Sequence, residues 1–182
     1  MVVTRYFEKI KKNYDDYQLS LLRHGRLPVK DTGVGFWGAT PLSELFTLFK
    51  NMGLYRYKSF LDLGSGDGRV VLTASLFDIE SHGIEADEEL VDTALEHRRK
   101  LALEHFNKTK FLHKNFMEHK LSGYDLVYVS PDKPFFRDNF ENKILSELDG
   151  QLIVHGWEFH PQNMQKVDEH VYDGEKFTVY KK

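Results

Sequence analysis

Asp62-Leu63-Gly64-Ser65-Gly66-Asp67-Gly68-Arg69 is the stretch that decides the fold. It closes a short apolar run, Phe60-Leu61-Asp62-Leu63, that reads as a buried strand, and it opens onto Val70, Val71, Ala74 and Phe77 at helical spacing. A strand that turns on glycines into a helix begins a parallel α/β unit. Such a turn lies at the carboxyl edge of the sheet, where open α/β folds bind ligands. Glycine there lets the backbone approach a ligand without a Cβ and adopt positive φ where required.

Downstream the same grammar repeats. Gly83-Ile84-Glu85 reads as a strand end. Asp87 is suited to cap a helix with Glu88 and Glu89 in its first turn and Leu90, Val91, Ala94, Leu95, Leu101 and Ala102 on one face. Lys110 to Lys114 and Tyr124 to Val129 are further strands. Phe136, Phe140, Ile144 and Leu148 mark a helix ended at Gly150, and Gln151 to His155 is the next strand. Only nine positions lead from Asn115 to Tyr124, so the crossover helix there is expected to be shortened or absent. Asp173-Gly174, between Val167–Tyr172 and Glu175–Lys181, is a two-residue hairpin signal. The prediction is an α/β fold: a doubly wound, mostly parallel seven-stranded sheet with a C-terminal antiparallel hairpin.

Upstream, Tyr6, Phe7, Ile10, Tyr14, Tyr17 and Leu21 share one helical face. Residues 1–30 carry seven Lys or Arg against three Asp or Glu, which reads as the solvated face of a packed helix. Gly33, Gly35 and Gly38 suggest a loop from Thr32 to Pro41. Thr40 suits the N-cap of a second helix, Pro41 its first position and Gly53 its end. The whole chain, 1–182, reads as one domain with residues 1–35 as an N-terminal helical extension.

Bulk composition narrows the classes. Hydrophobic residues are 41%, charged residues 29% and the net charge −3, without the Lys and Arg excess of a phosphate-binding surface. Nucleic acid is therefore not advertised as a partner. Cysteine is absent, which excludes disulfides, thiolate nucleophiles and Cys-based metal sites. Met1 to Arg5 lack the apolar core of a leader and no stretch approaches a membrane span, so a cytoplasmic chain is expected, though zero cysteines also suits export. Of nine histidines the nearest pair with ligand-like spacing is His155 and His160; no carboxylate–histidine signature accompanies them, and no metal site is expected.

The chemistry sits at strand ends. The glycines are spaced G-x-G-x-G, not the G-x-G-x-x-G that brings a pyrophosphate to a helix N-terminus. Asp62 would repel a pyrophosphate and suits a cationic amino-acid end, which turns the reading from NAD toward a cationic adenosine compound. Glu85, 17 residues beyond Gly68, can accept two ribose hydroxyls. Asn115 and Phe116, an amide and a ring, could bracket an adenine.

From about Phe36 to Lys182 the sequence resembles the class I, seven-stranded S-adenosylmethionine-dependent methyltransferases. The resemblance implies S-adenosyl-L-methionine as cofactor, with Thr40, Asp62, Gly64, Ser65, Gly66, Gly68, Glu85, Asn115 and Phe116 around it. Gly38-Ala39-Thr40-Pro41, Tyr128-Val129-Ser130-Pro131 and Thr178-Val179-Tyr180 add a likeness to small archaeal-type protein-lysine methyltransferases and their relatives that modify the mitochondrial ATP synthase c subunit. That likeness implies a protein substrate and N-methylation of lysine. Ser130-Pro131-Asp132-Lys133-Pro134 lacks the Asp or Asn, two prolines and aromatic residue of base-modifying enzymes, which counts against a nucleobase acceptor. Phe36, Trp37, Tyr128, Phe135, Phe136 and Trp157 are candidates to line an acceptor slot, with Ser130 or Asp132 orienting the amine and Trp37 closing a lid. RNA, a small metabolite, or a non-catalytic S-adenosylmethionine-binding role remain the alternatives.

Overall fold

The computed structural model describes residues 2–132 and 139–182. Chain order is α1 (Val2–Arg23), β1 (Val29–Asp31), β2 (Phe36–Gly38), α2 (Leu42–Met52), β3 (Ser59–Leu63), α3 (Arg69–Ser75), β4 (Glu80–Glu85), α4 (Glu88–Leu101), β5 (Thr109–His113), β6 (Leu126–Val129), α5 (Phe140–Glu147), β7 (Gln151–His155), β8 (Gln165–Tyr172) and β9 (Glu175–Lys181). Seven strands form one sheet in the order β5-β4-β3-β6-β7-β9-β8, parallel from β5 to β7, with β9 antiparallel to both β7 and β8. The expected sheet is therefore present, and its hairpin places the last strand inside the sheet and β8 at the edge.

Period-2 alternation assigns the side chains to two cores. Phe60, Tyr128, Ile153 and Phe177 face α1, α2 and α3, while Leu61, Leu63, Val127, Val129, Leu152 and Val154 face α5. Asp62 lies between Leu61 and Leu63 and so projects to the α1–α3 side. Between β5 and β6 a single 3-10 turn, Phe116–Glu118, stands where a crossover helix would be. The helix expected from Phe136 onward begins at Phe140; Phe135 and Phe136 lie outside the described residues. No helix among the described residues is long and apolar enough to cross a membrane.

The N-terminal third differs from expectation. The presumed loop from Thr32 to Pro41 contains β2, which pairs antiparallel with β1 through Lys30↔Trp37. Thr32 N–H donates to the Gly35 carbonyl at 2.9 Å to close the hairpin. Three-residue strands are too short to show alternation, which is why the sequence pattern missed them. The packed face expected of α1 is present, with Phe7, Ile10 and Tyr14 buried in the main core. The second helix starts one residue later than expected, with Pro41 as its cap and no side-chain capping bond. Thr40 is instead buried, and its carbonyl accepts from Arg69 Nη1 at 3.4 Å.

Asp87 caps α4 by accepting the Leu90 N–H at 3.0 Å. Asp173 and Gly174 both take positive φ, 51° and 89°, between the paired residues Tyr172 and Glu175. Gly174→Val is expected to destabilise the protein by about 1–3 kcal/mol, since a β-branched residue would be held at left-handed φ. No atom lies within 4 Å of the added Cβ, so the cost is one of backbone conformation and not of collision. Equal melting temperatures for variant and parent would remove this turn from the stability of the sheet.

Candidate active site

After Leu63 the chain turns sharply, with φ of 76° at Gly64, 52° at Gly66 and 81° at Gly68. Gly64 and Ser65 both donate their N–H to the Ile84 carbonyl, at 2.8 and 2.9 Å, which ties this loop to β4. The three glycines serve different neighbours. A Cβ on Gly64 would meet nothing within 4 Å, so this backbone is open to a ligand. A Cβ on Gly66 would overlap the Trp37 indole, and one on Gly68 would come to 2.7 Å from Ala94 Cβ. Gly66 and Gly68 are thus required by the packing of the protein on itself.

Glu85, at the end of β4, is 6% exposed. Its Oε2 accepts the Gly66 N–H at 2.9 Å, and its Oε1 accepts the Ala86 and Asp87 N–H groups at 2.8 and 2.9 Å. The carboxylate therefore organises the glycine loop and keeps only part of its acceptor capacity for a ligand. Asp62 is 2% exposed, and burial, with Glu85 and Asp67 nearby, pushes its carboxyl well above the usual carboxylate range. An acid so placed would be relieved by a cation.

Two cavities open beside this loop and share Phe36, Trp37, Gly64, Ser130, Pro131 and Asp132 in their walls. The smaller, about 350 Å³, is completed by Glu85, Ala86, Asn115, Phe116, Met117 and Phe140 among others. The larger, about 650 Å³, includes Thr40, Asp62, Ser65, Tyr128, His155 and Glu175. All the residues expected around a cofactor therefore meet at one edge of the sheet, except that Gly66 and Gly68 line neither cavity. Asn115 Oδ1 accepts the Met117 N–H at 3.0 Å and so caps the short turn that carries Phe116.

Of the residues expected near an acceptor, Phe36, Trp37, Tyr128, Ser130 and Asp132 line the larger cavity. Asp132 uses one oxygen to accept the Phe36 N–H at 2.8 Å, so it holds the β1–β2 hairpin across the opening. Trp157 does not join the site. It is 61% exposed, with the Lys176 ammonium 4.3 Å from its ring centroid, and it lines neither cavity.

The His155–His160 spacing also resolves differently. His160 Nδ1 pairs with the Tyr180 hydroxyl at 3.0 Å. His155 is buried in the wall of the larger cavity, with Nδ1 2.9 Å from the Tyr128 hydroxyl and 3.1 Å from Ser130 Oγ, and Nε2 2.7 Å from Glu175 Oε2. Burial lowers the His155 pKa, with Glu175 pulling the other way. Among the described residues no group of three or more His, Asp and Glu side chains is placed to hold a metal ion. A histidine at the end of β7, a serine just after β6 and an acid opening β9 become neighbours only through the strand order. Their positions at strand ends were the one available signal.

Comparison with known proteins adds the family. A family model described as histone methylation protein DOT1 matches residues 33–178, about four fifths of the chain. An RNA methyltransferase from Salinibacter ruber, solved in complex with S-adenosyl-L-homocysteine, superposes with a TM-score of 0.67 at 19% identity, over 78% of this chain and 92% of that one. A putative methyltransferase from Escherichia coli gives a TM-score of 0.60 at 20% identity, over 78% and 86%. A mitomycin 7-O-methyltransferase gives 0.61 at 13% identity, over 76% and 52%. No curated protein matches the chain. At these identities the solved structures establish the class I methyltransferase fold, whereas the family model spans β2, the glycine loop and the sheet into β9. The chain belongs to the DOT1 family of histone methylation proteins, and it is an S-adenosylmethionine-dependent methyltransferase.

Proposed function

We propose that the chain N-methylates lysine in a protein acceptor. The observation that carries this reading is the larger cavity: Phe36, Trp37 and Tyr128 supply aromatic walls, Ser130 a hydroxyl, and Asp62 and Gly64 the border with the cofactor loop. The family's description as histone methylation proteins, which concerns a protein acceptor, agrees with it.

The residues fit the cofactor. Asp62 would take the ammonium of its amino-acid end, which answers the raised carboxyl pKa, and the open backbone at Gly64 leaves it room. Glu85 would meet the ribose, and Asn115 and Phe116 the adenine. Bound there, S-adenosylmethionine supplies a methyl group on a sulfonium, transferred by in-line displacement. The protein's own work is then to place the acceptor and keep its amine neutral. From a reference pKa near 10.4, neutralising a lysine at pH 7 costs about 4.6 kcal/mol. Burial in a water-poor slot disfavours the ammonium and offsets part of that cost.

Trp37 lies against Gly66 and borders both cavities, so it is the residue suited to exclude water from the reacting amine. Trp37→Ala is expected to slow methyl transfer at least tenfold, about 1.4 kcal/mol in barrier, with little change in melting temperature. A stability loss of about 3–5 kcal/mol with unchanged turnover would make Trp37 a packing residue only.

The acceptor class is tested by incubating the purified protein with methyl-tritiated S-adenosylmethionine and a heat-treated cell extract. The expected result is label in protein, recovered as methyl-lysine after acid hydrolysis. Label in RNA or in small molecules alone would overturn the lysine reading.

A further inference from the structure

The geometry points to a proton relay in the acceptor cavity, and this inference rests on the lysine reading above. We propose that Ser130, His155 and Glu175 together remove the proton from the acceptor ammonium before methyl transfer. Ser130 is an exposed residue in the walls of both cavities, at the border between cofactor loop and acceptor slot. It lies 3.1 Å from His155 Nδ1, whose ring partner Nε2 lies 2.7 Å from Glu175 Oε2. A carboxylate only accepts, so Nε2 carries the hydrogen and Nδ1 presents its lone pair toward the hydroxyls.

The proton balance is simple. The ammonium gives one proton to Ser130 Oγ as the Ser130 hydroxyl proton passes to His155 Nδ1. The resulting imidazolium is held by Glu175, and the amine keeps the lone pair with which it attacks. After transfer the imidazolium returns its proton to solvent through the open cavity.

Other readings of these residues are weaker. His155 stacks on Phe177, with centroids 4.5 Å apart and planes at 16°, a position where a phenyl ring would serve packing equally well. An imidazole there brings two nitrogens into the core, and both find partners. Asp132 already accepts the Phe36 N–H, and Asp62 faces the expected ammonium of the cofactor. Tyr128 also touches Nδ1, but it is buried and its hydroxyl is held well above the usual tyrosine pKa, first by burial and then by Asp62. It orients the ring and leaves Ser130 as the group an acceptor can reach. The charged and titratable groups that line the cavity with His155 are Glu175 on β9, Tyr128 on β6, Asp62 on β3, Asp67 in the glycine loop, Asp132 after β6 and Arg69 on α3, and of these Glu175 acts on the imidazole directly. Burial lowers the His155 pKa, so the imidazole is neutral near pH 7 and its Nδ1 lone pair is unprotonated; the ion pair with Glu175 is what supports the imidazolium once it forms.

The test compares wild type, His155→Gln and Ser130→Ala. It measures the initial rate of tritium transfer from S-adenosylmethionine to extract lysines between pH 6.5 and 9.5. Wild type should reach a plateau above about pH 7. Both variants should be at least tenfold slower at pH 7 and regain rate by about tenfold per pH unit, as solvent takes over deprotonation. Their affinity for S-adenosylhomocysteine by calorimetry should stay within about twofold. If His155→Gln does not fold, Ser130→Ala, altered at an exposed residue, decides alone. Long-range ¹H–¹⁵N correlation of the wild-type imidazole should show the proton on Nε2. A proton on Nδ1, or variant pH profiles parallel to wild type, overturns the relay while the lysine reading stands. Absence of labelled lysine with wild type overturns both.

Discussion

Asp67→Ala should lower stability by about 3–5 kcal/mol, the expected cost of leaving a buried charge without its partner. Asp67 is fully buried, and Arg69 beside it nearly so. Arg69 Nη2 donates to Asp67 Oδ2 at 2.7 Å and Nε to Oδ1 at 3.0 Å. Without the carboxylate the guanidinium would keep, among the described residues, the Thr40 carbonyl at 3.4 Å and the face of Tyr14, 4.8 Å from its centroid. For a chain of 182 residues that loss lowers the melting temperature by on the order of 10 °C. The double variant Asp67→Ala with Arg69→Met removes both charges and should recover much of it, because the damage comes from the orphaned cation. A thermal melt decides: a loss below about 1 kcal/mol in the single variant would mean that water reaches Arg69. The same residue joins α1 to the site, since the Tyr14 hydroxyl donates to the Asp67 carbonyl at 2.9 Å.

Glu85→Ala should act on stability and on cofactor binding together. Three backbone N–H groups, of Gly66, Ala86 and Asp87, lose their acceptor. Unsatisfied buried donors cost about 1–3 kcal/mol each, and partial solvation of the loop leaves an expected net loss of about 2–4 kcal/mol. Affinity for S-adenosylhomocysteine should fall by a further 1.5–3 kcal/mol or so, roughly 10- to 150-fold, as for hydrogen bonds to a charged group. Glu85→Gln keeps one acceptor oxygen and should show smaller losses in both. Calorimetry on folded protein separates the effects. An affinity loss below about 0.3 kcal/mol in Glu85→Ala would leave Glu85 as a loop organiser with no ribose contact.

Much of the fold was legible because its signals are local. Gly53 ends α2 at φ 65°, Asp87 caps α4, and Asp173-Gly174 turns the last hairpin. Each of these answers a demand of its own backbone that few residue types can meet. The strands declared themselves by apolar runs, and the spacing of Gly64, Gly66 and Gly68 by its difference from a pyrophosphate loop. Asp62, Glu85 and Asn115 could be nominated because the carboxyl ends of parallel strands converge on one edge whatever the rest of the chain does.

By itself, then, the sequence determined the parallel sheet, its C-terminal hairpin and the edge that carries the glycine loop, since backbone conformation and side-chain periodicity act over a few residues. Tertiary structure alone decided what those residues touch. It put the Trp37 indole where a Cβ on Gly66 would be, set Glu85 to accept the Gly66 N–H as well as those of Ala86 and Asp87, and laid the Tyr14 ring over Arg69. It also joined His155 to Ser130 and Glu175, which lie 25 and 20 positions away along the chain. Such contacts follow from strand order and register, and both are set by the burial of whole sheet faces against helices, a sum over the chain that no single segment contains.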